Sequence, residues 1–250
     1  MPAWRLDESD CEVQHFDVGA SDGNVPGFVA HVVLCLAEKP QIANVNKRQL
    51  NTIHMGPPLG EESQSIDVVG TALLDPDGLP PSERRQIKVF VDDRKEERKA
   101  QKDRLARLPL VEQLYSEYVI LPAYIEPTAE VSLWRFSCAG FVLKAYESAN
   151  IHLINDRNLP SVTLETLKTA YPQMARRLDR VEIRERLGIG EGTAWPAVLA
   201  GYVVNSLNRS PVTIRSQAFS PARGDEFFPA KPPKPSETDK SASPKDGAVD

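Results

Sequence analysis

The stretch FVAHVVLCLA, residues 28–37, constrains the fold of this chain most. It is a nearly continuous apolar run rich in β-formers, and the turn-like EKPQ follows it, so it reads as a strand. A buried strand needs partners, and the neighbouring sequence supplies candidates. IANVNKRQ (42–49) alternates between apolar and polar residues before dissolving into polar ones. IDVVGTALLDPDG (66–78) ends in a strong turn signal, and IKVFV (87–91) reads as a possible fourth strand. One residue in the first run is out of character. His31 opens HVVLCL directly after small residues, and an imidazole is costly to place there without a partner.

Helical patterns occupy most of the remainder. DDRKEERKAQKDRLAR (92–107) is charged at 12 of 16 positions and carries opposite charges at helical neighbour spacing, which predicts a solvated helix on a domain edge. LVEQLYSEYVIL (110–121) is more apolar and is broken by Pro122 and Pro127. RFSCAGFVLKAYESANIHL (135–153) has Phe141, Val142, Ala145 and Ala149 on one helical face and Lys144, Glu147 and Ser148 on another, with the start at or just after Ser137. Ser161 or Thr163 is placed to cap a helix in PSVTLETLKTAY. ARRLDRVEIRERLGIG (175–190) reads as a helix ending at a glycine, and AVLAGYVVNSL (197–207) as another apolar element. The expected architecture is therefore α+β over residues 1–218. From 219 to 250 prolines recur without apolar periodicity, and such a segment reads as a mobile, disordered tail. Phe227 and Phe228 in it are suited to docking a protein partner or to folding back on the domain.

Composition narrows the function classes. With a net charge of −5 and acids mixed among the bases, the chain has no basic face for nucleic acid. No run approaches the roughly 18–20 apolar residues of a membrane span. Acidic residues occupy MPAWRLDESDCEVQ where a signal peptide would carry an apolar core, which points to the cytoplasm, with non-classical secretion open. Cys11, Cys35 and Cys138 are too few and too scattered for a disulfide framework or a zinc pattern, so no metal or cofactor is expected.

Cys138 is the residue with chemical potential. At the first turn of a helix, unpaired N–H groups and the positive end of the dipole favour a thiolate and offer donors to an oxyanion. Gly140 would keep that turn thin enough for a substrate backbone to approach. A thiol there still needs a base, and of the four histidines (15, 31, 54 and 152) His31 is the best placed. Cys35 lies an even step from His31 and reads as a packed core thiol on the same sheet face; Trp134 reads equally as a wall of the site or as core.

A strand beginning His-Val-Val-Leu and a helix beginning Ser-Cys-Ala-Gly-Phe-Val resemble the two catalytic halves of the NlpC-type papain-like cysteine hydrolases. Because His31 precedes Cys138, the order looks like the circularly permuted, lecithin retinol acyltransferase-like branch. Ser137 and Ala139 replace the commoner aspartate and serine around the nucleophile. The resemblance implies a papain-like small antiparallel sheet packed against the helix that carries the nucleophile. It also implies a cysteine amidase or peptidase acting on a peptide-like or acyl substrate through a thioester. A third polar residue should orient His31. If EKPQ is a hairpin turn, His31 falls opposite about Arg48 and Asn46 is the expected third residue, with Asn44 and His54 as alternates. The competing expectations are a non-catalytic papain-like interaction scaffold and a thiol-dependent acyltransferase on lipid.

Overall fold

The computed structural model describes residues 11–36, 41–43, 49–56, 58–66, 68–70, 79–129 and 133–229. The apolar run at 28–37 forms strand β3 (Val29–Cys35), the middle of a five-stranded antiparallel sheet ordered β6-β5-β3-β2-β7. Its members are β2 (Val18–Asp22), β5 (Gln49–Met55), β6 (Leu59–Ser65) and β7 (Val68–Gly70). A short pair, β1 (Cys11–Val13) with β4 (Gln41–Ala43), lies beside it in the chain order. The period of two divides β3 between two layers. Val32 and Leu34 face the main core, whereas Val33 and Cys35 join Val13, Leu50 and Ile66 in a smaller cluster on the other side.

Helices cover the main-core face. The first is α1 (Pro81–Ala100), followed by α2 (Lys102–Ala106) and α3 (Leu110–Glu117). The short pair β8 (Tyr124–Ile125) and β9 (Arg135–Phe136) then leads into α4 (Cys138–Ser148). Phe141, Val142, Ala145 and Tyr146 of α4 are fully buried, and the Tyr146 hydroxyl donates to the carbonyl of Phe16 at 3.0 Å, tying helix to sheet. The remaining elements are α5 (Leu164–Ala170), α6 (Val181–Arg186), α7 (Ala200–Leu207) and α8 (Pro211–Ser216), with a two-stranded β10 (Ser161–Thr163) and β11 (Ala194–Pro196). Thr163 is the cap of α5, its hydroxyl accepting from the N–H of Thr166. The chain is thus α+β with a small antiparallel sheet. Among the described residues no helix is long and apolar enough to cross a membrane.

Three expectations need correction. IKVFV is not a strand but part of α1: Ile87, Phe90 and Val91 are buried while Val89 is 55% exposed, which is helical spacing rather than alternation. The charged helix accordingly begins at Pro81, and the charged stretch covers the end of α1 and all of α2. Residues 219–229 are not loose. The N–H of Val29 donates to Glu226 O at 3.0 Å and that of Phe228 to Gly27 O at 2.8 Å, with the Phe227 ring edge-on to Phe28. Asn205 Nδ2 donates to the carbonyls of Asp225 and Phe227, at 2.8 and 2.9 Å. A Cβ on Gly201 would fall 2.4 Å from Glu226 O, so α7 lies directly beneath this strap. These backbone bonds hold a proline-rich segment whose composition alone argues against order. Phe227 and Phe228 therefore fold back on the domain.

Candidate functional site

Helix α4 starts at the residue its local chemistry demands. Ser137 is extended and fully buried, and its hydroxyl accepts from the N–H of Gly140 at 2.9 Å, closing the first turn. The N–H of Ser137 in turn donates to Ala123 O at 2.8 Å. Gly140 is needed for that approach: a Cβ there would lie 1.8 Å from Ala123 O. The space at this glycine is thus filled by the protein's own backbone and is not a gap for substrate, as the sequence suggested.

With Gly140 N–H occupied by the cap, the N–H groups of Ala139 and of Cys138 itself remain directed at the Cys138 sulfur. A third donor comes from the sheet, the N–H of Val32. That contact brings the nucleophile candidate to β3 one peptide bond from His31. Tyr118 and Tyr171, fully buried and edge-to-face at 6.4 Å, wall the sulfur from behind, and burial foremost raises both hydroxyl pKa values.

His31 lies where β3 leaves regular pairing. A bulge separates the pairs Ser21–His31 and Asp22–Val29, and β3 pairs with β5 only at Leu34–Ile53 and Cys35–Thr52. Continuing that register sets Gly56, not Arg48, across from His31 and makes His54 its diagonal neighbour. The connection from β3 to β5 is not a four-residue hairpin, because β4 intervenes and pairs with β1. His31 Nε2 and His54 Nδ1 are 2.8 Å apart, with the rings nearly perpendicular at 86°. A Cβ on Gly56 would sit 2.5 Å from His54 Cε1, so this glycine supplies the room for the second ring. Asn46 and Asn44 lie outside the described residues; the residue on His31 is His54, the remaining alternate.

The polar chain continues beyond the histidines. His54 Nε2 lies 2.6 Å from Glu62 Oε1 and 2.7 Å from Gln64 Nε2, and the Gln64 amide donates to the same carboxylate oxygen. Neither Glu62 nor Gln64 stood out in the sequence. The signal available was the spacing of Gly60, Glu62 and Gln64, which share one face of β6 beside the His54 face of β5.

Burial dominates the electrostatics. It pushes the Cys138 thiol up to about 11, against the pull of its three N–H donors. It carries His31 down to about 3, with His54 adding to the shift and Glu62 opposing it. His54 is lowered too, again by burial first. At neutral pH the resting site holds a thiol and two neutral imidazoles. The thiolate expected from the helix dipole alone is not the resting form, because desolvation outweighs the N–H donors.

The other sequence candidates fall away from the sulfur. Cys35, 1% exposed, packs with Val13, Val33, Leu50 and Ile66. Trp134 stacks on Phe136 at 5.4 Å and is flanked by Arg94 and Lys144, making it part of an aromatic wall. No protein-family model, curated protein or solved structure matches the chain.

Proposed function

We propose that the protein is a thiol-dependent hydrolase of amide or related acyl bonds, with Cys138 as nucleophile, His31 as base and His54 as its orienting partner, on a permuted papain-like plan. One observation carries this reading: the Cys138 sulfur meets the N–H of Val32, while the adjacent His31 has Nε2 engaged by His54 at 2.8 Å. His31 Nδ1 is the nitrogen that His54 leaves unengaged, and in this proposal it takes the thiol proton once the two side chains meet. The chemistry runs in two halves. As sulfur attacks the carbonyl carbon, its proton passes to His31 Nδ1, and the developing oxyanion accepts from the N–H groups of Cys138, Ala139 and Val32. His31 returns the proton to the leaving amine. A water then loses its proton to His31, attacks the thioester and releases the acid, restoring the thiol. The neutral resting pair means that charge separates only as the carbonyl is attacked, inside a site already carrying donors for it. The amide preference follows the family resemblance.

The inert-scaffold reading has one observation on its side, the 2% exposure of Cys138. A single experiment separates the two. Mixing the full chain with p-nitrophenyl acetate should release a burst of one equivalent of p-nitrophenolate and leave an acetyl group on Cys138, mapped by peptide mass spectrometry. Cys138→Ser should abolish the burst. Acetylation spread over lysines, with no burst and no adduct at 138, would establish the scaffold.

A further inference from the structure

We infer that Glu62 is a positioning residue: its carboxylate sets the tautomers of both histidines so that His31 keeps a bare Nδ1, the nitrogen the proposed mechanism uses as base. The inference deepens the proposed function, and rests on it only for what the bare nitrogen does. The tautomer itself is a property of the resting protein.

A neutral imidazole carries one N–H and one lone pair, and which nitrogen carries which follows from its partners. The row of contacts here is Glu62 Oε1, His54 Nε2, His54 Nδ1, His31 Nε2, at 2.6 Å for the first contact and 2.8 Å for the last. A carboxylate only accepts, so His54 Nε2 must carry hydrogen. His54 Nδ1 then has the lone pair, His31 Nε2 donates to it, and His31 Nδ1 is left bare. That is the form able to take a proton from sulfur.

Gln64 makes the choice sharp, because it would impose the opposite one. Its amide nitrogen stands 2.7 Å from His54 Nε2 and also donates to Glu62. Turning the amide over would aim its oxygen at the carboxylate, so the NH2 end is held where it is. Without Glu62 the amide is free to turn, and whenever its NH2 faces His54 Nε2 it would donate to that nitrogen. His54 would then carry hydrogen on Nδ1, His31 Nε2 would accept, and His31 would keep its hydrogen on Nδ1. Such a ring cannot act as a base. The Gln64 hydrogen bond, with His54 and His31 close by, holds the Glu62 carboxyl below the usual carboxylate range, so it is ionised at neutral pH.

The Glu62 side chain is 56% exposed, against 7% for His54, so replacing it leaves the core intact. The test is nitrogen NMR of the full chain with 15N-labelled histidine, since ring shifts and N–H couplings distinguish a protonated nitrogen from a bare one. Wild type should show both His31 and His54 protonated on Nε2. Glu62→Ala, which also frees the Gln64 amide to turn, should bring Nδ1-protonated forms of both rings into the spectrum, whereas Glu62→Gln, whose amide oxygen still accepts, should keep the wild-type pattern. In parallel, acetylation of Cys138 by p-nitrophenyl acetate should slow about tenfold in Glu62→Ala and recover to within about twofold in Glu62→Gln, the scale of losses at residues that orient a histidine. A wild-type His31 protonated on Nδ1, or tautomers indifferent to Glu62→Ala, would overturn the inference. Correct tautomers with no acetylation at all would overturn the hydrolase reading and leave this one standing.

Discussion

Cys35 and Cys138 are the same group buried to the same degree, 1% and 2% exposed, on or against the same strand. Their surroundings differ in kind. Cys35 packs among Val13, Val33, Leu50 and Ile66, whereas the sulfur of Cys138 meets three backbone N–H groups, two from a helix start and one from the residue after His31. Burial alone therefore says nothing about a thiol's role. The helix start matters because it leaves N–H groups without intrahelical partners, and Ser137 takes only one of them.

Four perturbations test this contrast. The largest effect belongs to the thiols themselves. Cys138→Ala should lower the acetylation burst by about 10³-fold or more, while Cys35→Ala should leave it within about twofold and cost roughly 1 kcal/mol of stability in urea unfolding. Comparable losses from both would erase the distinction. Next come the rings: His31→Ala should slow single-turnover acetylation by about 10³-fold and His54→Ala by about 10²-fold, within the range for general-base catalysis. Equal effects would make His54 more than an orienting group.

The third perturbation is a methyl group. Gly56→Ala places a Cβ 2.5 Å from His54 Cε1 and should displace the ring enough to cost about tenfold in rate. Gly60→Ala meets nothing nearer than Pro58 O at 3.7 Å and should change the rate by less than about twofold. The smallest effect is on stability against pH. The folded pKa of His31, about 3, lies below its ordinary value of 6.5, so the unfolded chain binds more protons between those values. Stability should be full above about pH 6.5 and fall as pH drops towards 3, with a slope of at most about 1.4 kcal/mol per pH unit from this residue. Urea unfolding at several pH values checks this, and His31→Gln should flatten the curve.

The parts of the site fixed by local sequence were legible. The β3 run, the helix start after Ser137 and the oddity of an imidazole opening an apolar strand all depend on short windows. What depends on register was not. The partner of His31 was assigned through a hairpin that does not form, since β4 leaves to pair with β1, and a shift of pairing changes every cross-strand neighbour. Glu62 and Gln64 meet His54 only once β5 and β6 are aligned. IKVFV misleads because five residues cannot separate alternation from one turn of a helix; the twenty residues of α1 can.

The strap at 226–228 gives late sequence a say over early sequence. The backbone just upstream of His31 is complete only when Glu226 accepts from Val29 and Phe228 donates to Gly27. During synthesis the histidines leave the ribosome first, the cysteine follows after a long interval, and the clasp beneath the base comes last of all. A chain clipped ahead of it would own every reacting atom and still lack the clamp that keeps one of them in place.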